Sequence, residues 1–214
     1  MKSQVRGGTR WKRFAVVMVP SVAATAAVGI GLAQGALAAS FSVSGQQFKV
    51  TAGHLHGVGF AQYGGIDTVY TSTKGDKKTQ VPVAISSFDD ATITKMCQSV
   101  KTQIPLLNKT VYLRLEAGNN PDKPVTAKNL YIDVAQLDAD AEFKNIDIGV
   151  AIKDKTRGPV NKDEATTLPG GFAQQAEEAD LYGVEQTAWA TTAGTFKLSG
   201  LSMRLGGDPE MECY

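Results

Sequence analysis

Leu130-Tyr131-Ile132-Asp133-Val134 places an apolar side chain at every second position. That is the period of a β-strand with one buried face and one wet face. The same beat recurs on both sides of it. Val111, Leu113 and Leu115 carry it, as do Val81, Val83 and Ile85, then Phe48, Val50 and Ala52, with Phe41 and Val43 before them. Downstream come Ile146, Ile148, Val150 and Ile152, then Phe196 and Leu198. After Ser199-Gly200 the phase shifts to Leu201, Met203 and Leu205, which reads as a β-bulge. Turn-forming clusters separate the runs: Lys74-Gly75-Asp76, Gly118-Asn119-Asn120-Pro121-Asp122, Arg157-Gly158-Pro159 and Gly206-Gly207-Asp208-Pro209. Short alternating runs between turns predict a mainly-β fold, an antiparallel sandwich or open barrel.

Two stretches break the period and predict short helices. Asp89-Asp90 stand before Ile93, Met96, Cys97 and Val100, spaced as one apolar stripe of a helix that ends before Ile104-Pro105. Phe172, Gln175, Ala176 and Ala179 suggest a second helix closed by Gly183. A weak internal echo, V-T-A-x-x-L at 50–55 and again at 125–130, is read as two similar strand ends rather than as a repeat.

The N-terminus differs from the rest. Lys2, Arg6, Arg10, Lys12 and Arg13 precede a run from Phe14 to Phe48 that holds no charged residue, and no acidic residue comes before Asp67. A basic start, an apolar stretch over Phe14–Leu32 and Ala36-Leu37-Ala38 have the order of a secretory signal cut before Ala39. The stretch is also long enough for an uncleaved anchor, although Pro20, Gly29, Gly31 and Gly35 weaken it as a spanning helix. Trp11-Lys12 separates Arg10 from Arg13, so the twin-arginine pair is missing. The predicted organisation is therefore a signal or anchor over 1–38 and one extracytoplasmic β-domain over 39–214, secreted or held at the cell envelope. Removing residues 1–38 takes five cations from 22 and leaves 17 against 21 acids, a net charge of −4. A mildly acidic domain without a basic stripe argues against a nucleic-acid partner. In an oxidising compartment the two cysteines, Cys97 and Cys213, are expected to pair.

The chemistry-bearing residues are few. No Ser has Gly at both −2 and +2, so the nucleophile elbow of α/β-hydrolases is missing, and Gly206-Gly207-Asp208 leads into Pro209 rather than Ser. His54 and His56 are the only imidazoles. On a strand they share a face, which makes them candidate metal ligands with Asp67 as a third, or candidate bases with Asp67 in a triad. Glu177, Glu178 and Asp180 read as a solvated helix face; Asp138, Asp140 and Glu142 read as the solvent side of a strand with at most weak calcium affinity. Trp189 is expected in the core, and Phe60, Tyr63, Tyr70 and Tyr182 either pack there or line an apolar cavity. No cofactor motif is present, and Gly57–Gly65 lacks the phosphate-loop pattern.

Several motifs taken together resemble a known family. They are Arg10-Trp11-Lys12-Arg13-Phe14, Ser40-Phe41-Ser42-Val43-Ser44-Gly45, Gly59-Phe60-Ala61-Gln62-Tyr63-Gly64, Met96-Cys97-Gln98-Ser99-Val100, Thr126-Ala127-Lys128-Asn129-Leu130, Ala188–Phe196 and Glu212-Cys213-Tyr214. The chain is similar, nearly end to end, to small exported proteins of Streptomyces and related actinobacteria whose function is uncharacterised. Some of them carry the label cholesterol esterase. The resemblance implies an extracytoplasmic setting and a small multi-spanning membrane protein as a partner. The function expected from residues and resemblance together is non-enzymatic, with a lipid or other apolar ligand. The alternatives are a lipid-ester hydrolase using His54 or His56, and a subunit of a membrane-associated assembly.

Overall fold

A computed structural model describes residues 43–72, 75–104, 109–159 and 167–214. All of them belong to one compact unit, Ser40–Tyr214. The predicted signal or anchor over 1–38, and Phe41, lie outside the described residues. The fold is mainly β, as the alternation predicts. Nine antiparallel strands form it among the described residues: β1 (Phe48–Tyr70), β2 (Lys78–Thr94), β3 (Met96–Ile104), β4 (Lys109–Ala117), β5 (Val125–Lys144), β6 (Asp147–Ala151), β7 (Phe172–Thr192), β8 (Thr195–Lys197) and β9 (Ser202–Gly206).

The largest pairing is a long hairpin. β1 runs against β2 from Tyr70↔Lys78 to His54↔Thr94 and continues onto β3 from Thr51↔Cys97 to Phe48↔Val100 without a change of register. Two irregularities are absorbed along the way. Gly59, at φ 63°, faces Asp89 so closely that a Cβ there would lie 1.9 Å from the carboxylate. Lys95, at φ 51°, interrupts the second arm and divides it into β2 and β3. β5 pairs with β2, β7 pairs with β5, and β7 returns to β1 over Phe48↔Ala188 to Ala52↔Val184. These four strands thus complete a hydrogen-bonded circuit. It is not a regular barrel, because the backbone pairing of β1 with β7 extends over only five residue pairs. β3, β4 and β9 extend the sheet on one side and β6 ends it on the other. Phe60, Phe88, Leu130, Ile132 and Leu181 fill the main core, with small Ala176, Ala179 and Ala188 where strands approach closely.

Neither predicted helix is present; two short 3₁₀ turns, Ile152–Asp154 and Pro209–Met211, are the helical segments among the described residues. Both errors have one cause, a phase jump inside a strand. In the stretch after Asp89, Ala91 and Ile93 point inward, the left-handed residue Lys95 resets the alternation, and Met96 is again buried. The spacing of three between Ile93 and Met96 imitates a helix. Thr92, Ile93 and Thr94 are β-branched and favour the pleated form. In β7, Ala173, Gln175, Ala176, Ala179 and Leu181 are buried before Gly183, at φ 58°, shifts the inward set to Val184, Gln186 and Ala188. Gly183 is a bulge inside a strand and not a helix end. Ser199-Gly200, read as a bulge, is instead a turn between β8 and β9, which pair with β5 and β4 respectively.

The C-terminus clasps the outer face of β3 and β4. Cys97 and Cys213 form a disulfide across 116 residues of sequence, so the expected pairing is observed, with Cys97 on β3 rather than on a helix. The Cys213 amide donates to Ser99 Oγ (3.0 Å), and Arg114 donates to the carbonyl of Glu212 (3.1 Å). Lys49 bonds both the Glu212 carboxylate (2.8 Å) and the Tyr214 carbonyl (2.7 Å). Closing so long a loop restricts the unfolded chain strongly. Replacing both cysteines with Ser is expected to cost about 2–5 kcal/mol, read from denaturant unfolding. Two alkylatable thiols in the unfolded but unreduced protein would refute the bridge.

Candidate functional site

The two imidazoles sit on β1 with the period of a strand. Leu55 turns inward to the core, while His54 and His56 turn outward together. What they meet is decided by β7. Projected two and four residues past the last backbone pair, Ala52↔Val184, the same register sets His54 beside Tyr182 and His56 beside Asp180. The side chains follow it. The His54 and Tyr182 rings stack with centroids 4.4 Å apart and planes 4° from parallel. His54 Nε2 and His56 Nδ1 both bond Asp180 Oδ1, at 2.9 and 2.8 Å. A carboxylate only accepts, so each of these nitrogens carries the proton that it donates.

Asp180 is the most enclosed member, its side chain 14% exposed against 34% for His54 and 37% for His56. Burial alone pushes its carboxyl up. The hydrogen bonds and positive charge of His56 and His54 outweigh that and hold it below the usual carboxylate range. Glu178, two residues earlier on the same face of β7, joins the group: ligating atoms of His56, Glu178 and Asp180 lie within 4.8 Å of one another. Lys144, opposite on β5, forms an ion pair with Glu178, which raises the lysine pKa.

The structure therefore brings His54 and His56 together, as their spacing predicts. It seats on them not Asp67 but Asp180. Asp67 stands farther along β1 opposite Val81, half-buried, with Oδ2 lacking a hydrogen-bond partner among the described residues. Glu177, Glu178 and Asp180 lie on a strand, not a helix face, and they divide: Glu177 pairs with Arg157 while the other two join the imidazoles. Read with period two, Glu178, Asp180 and Tyr182 share one face in the sequence itself. Their partner strand is set by tertiary pairing, which the sequence does not display. Asp138, Asp140 and Glu142 are exposed along β5, as expected of a solvent face.

On the other side of the same strands is a cleft of about 130 Å³. Leu55, Phe60, Phe88, Ile132, Leu181 and Val184 form its floor; Leu137, Ala139, Ala141 and Phe143 of β5 form its rim, with Gln62, Ser86 and Gln186 as the polar lining. Of the four aromatic candidates for a cavity wall, Phe60 lines it. Tyr63 packs in a second core cluster, Tyr70 lies beneath Lys78 and Tyr182 is exposed on His54. Trp189 is half-buried against the second and third core clusters.

A family model covers residues 44–214, a range that holds all the strands described above. The chain belongs to the DUF6230 family, a family of unknown function. No curated protein and no solved structure matches it. Membership of DUF6230 fits the resemblance to an uncharacterised family and assigns no activity to the imidazole cluster or the cleft of this member.

Asp67 offers a test of the local physics. Burial raises its carboxyl above the usual range, so the folded state favours the protonated form and the charge costs stability at neutral pH. That cost shrinks as pH falls through the raised value and is gone below the ordinary carboxylate range, where folded and unfolded chains are both protonated. Asp67→Asn is expected to raise the melting temperature at pH 7, with the gap to the parent closing towards pH 4. A lower melting temperature at pH 7 would count against the assignment.

Proposed function

We propose that this DUF6230 protein acts outside the cytoplasm as a non-enzymatic binding component that holds the apolar part of a lipid-like molecule. The observation that carries the reading is the cleft between β1, β2, β5 and β7. Ten of its thirteen lining residues are apolar, and its rim is formed partly by the small side chains Ala139 and Ala141. Its volume, about 130 Å³, is below the roughly 300–1,000 Å³ of sites that enclose a whole drug-sized ligand. It is near the size of an apolar cavity of about 150 Å³ that takes up a benzene ring. The cleft suits one end of an acyl chain or a single ring, with the remainder of the ligand outside. The disulfide supports an oxidising, extracytoplasmic setting.

Ester hydrolysis finds less support at the imidazoles. A serine nucleophile needs one imidazole as its base, and the hydrogen bonds described for both go to one carboxylate. An assembly role has its own observation in β9, at the end of the strand order, where Met203 (61%) and Leu205 (72%) stay exposed. Such an edge is suited to pairing with another strand.

Titration with a dansyl-labelled fatty acid tests the binding reading. Saturable fluorescence enhancement is expected, weakened at least tenfold by Ala139→Trp, which fills the rim. Absence of saturable binding, or binding indifferent to that substitution, would overturn it. Turnover of a p-nitrophenyl ester that is lost in His54→Ala would establish the hydrolase in its place.

A further inference from the structure

We propose that His56, Asp180 and Glu178 form a zinc site on the outer face of β1 and β7, with His54 holding Asp180 in position. Three independent features of the geometry converge on it.

The first is the donor set. One imidazole nitrogen and two carboxylates, contributed by two strands, lie with their ligating atoms within 4.8 Å of one another. Zinc binds His nitrogen and carboxylate oxygen at about 2.0–2.2 Å, so its ligands sit about 3.3 Å apart around a tetrahedron. His56 Nδ1 and Asp180 Oδ1 are already 2.8 Å apart, and a small opening admits the ion. Three protein ligands leave a fourth position to water, the pattern of an open site.

The second is the bracing. His54 Nε2 bonds the same Asp180 oxygen at 2.9 Å and is held flat against Tyr182. Ligating carboxylates are commonly fixed by such an outer hydrogen bond. His54 lies outside the 4.8 Å group and acts here as a positioning residue.

The third is the surrounding charge. Asp180 faces Glu142 across the β5–β7 ladder, and Glu178 faces Lys144. Three carboxylates around one ammonium leave an excess of negative charge. Zinc binding takes the Glu178 carboxylate from Lys144, and the proton that His56 Nδ1 donates moves to Nε2, because a neutral imidazole ligates through the nitrogen that carries no proton. Zinc, rather than calcium or magnesium, follows from the imidazole in the set, since those harder ions take all-oxygen shells.

Isothermal titration of the purified, chelator-treated protein with zinc chloride tests the site. One zinc per chain is expected, bound at least 100-fold more weakly by His56→Ala and by Asp180→Asn, and about 10- to 100-fold more weakly by His54→Ala through loss of the brace. Glu178→Gln removes a ligand while keeping both imidazoles on Asp180, so it reads the site even where the other variants disturb folding; circular dichroism reports which do. Cobalt(II) provides the second readout, with the intense visible bands of a four-coordinate ion expected in the parent and lost in Glu178→Gln. No saturable zinc binding would overturn the proposal. So would binding that survives both His56→Ala and Glu178→Gln.

Discussion

The fold depends on one pairing: β1 held in a single register against the chain from Lys78 to Val100. Register is costly to change in such a hairpin, because a slip by one residue exchanges the inward and outward sets along the whole length. Here a slip would expose Leu55 and Phe60 and bury the imidazoles. Gly59 opposite Asp89 and the left-handed Lys95 let the two arms bend without losing that register. The bending lets β7, more than a hundred residues downstream, reach back to the start of β1. Much of the sheet therefore rests on contacts distant in sequence, which form only after long loops have closed. A covalent tie between Cys97 and Cys213 suits such a topology, since it joins the second arm of the hairpin to the end of the chain.

That dependence explains what could be read from the residues. Period two survives wherever a strand runs without interruption, as in Leu130–Val134 and Val81–Ile85, and there alternation and burial agree. It fails where a positive-φ residue inserts a phase jump, at Lys95 and Gly183, and the apolar spacing across the jump looks helical. The disulfide was legible because two cysteines in a chain with the pattern of a secretory signal leave one simple choice. The common face of His54 and His56 was legible because it is local. Asp180 was not, since its meeting with the imidazoles requires the β1–β7 register. No nearby residue reports that register. Asp67 was the nearest acid downstream in sequence, but it lies on the same extended strand as the imidazoles, which carries it far from them.

The seam between β1 and β7 shows how the two sites are related. Its backbone ladder stops at Ala52↔Val184, next to the bulge at Gly183. Beyond that point side chains carry the contact: Tyr182 against His54, and Asp180 against both imidazoles. Alternation then places Leu55, between the two histidines, and Leu181, between Asp180 and Tyr182, on the opposite face, where both line the cleft. The polar cluster and the apolar cleft are thus two faces of one seam. The β1–β7 backbone pairing does not reach these positions, so the cluster's side-chain bonds join two strands that are each held on their other side, Leu55 opposite Ile93 of β2 and Leu181 opposite Ala141 of β5.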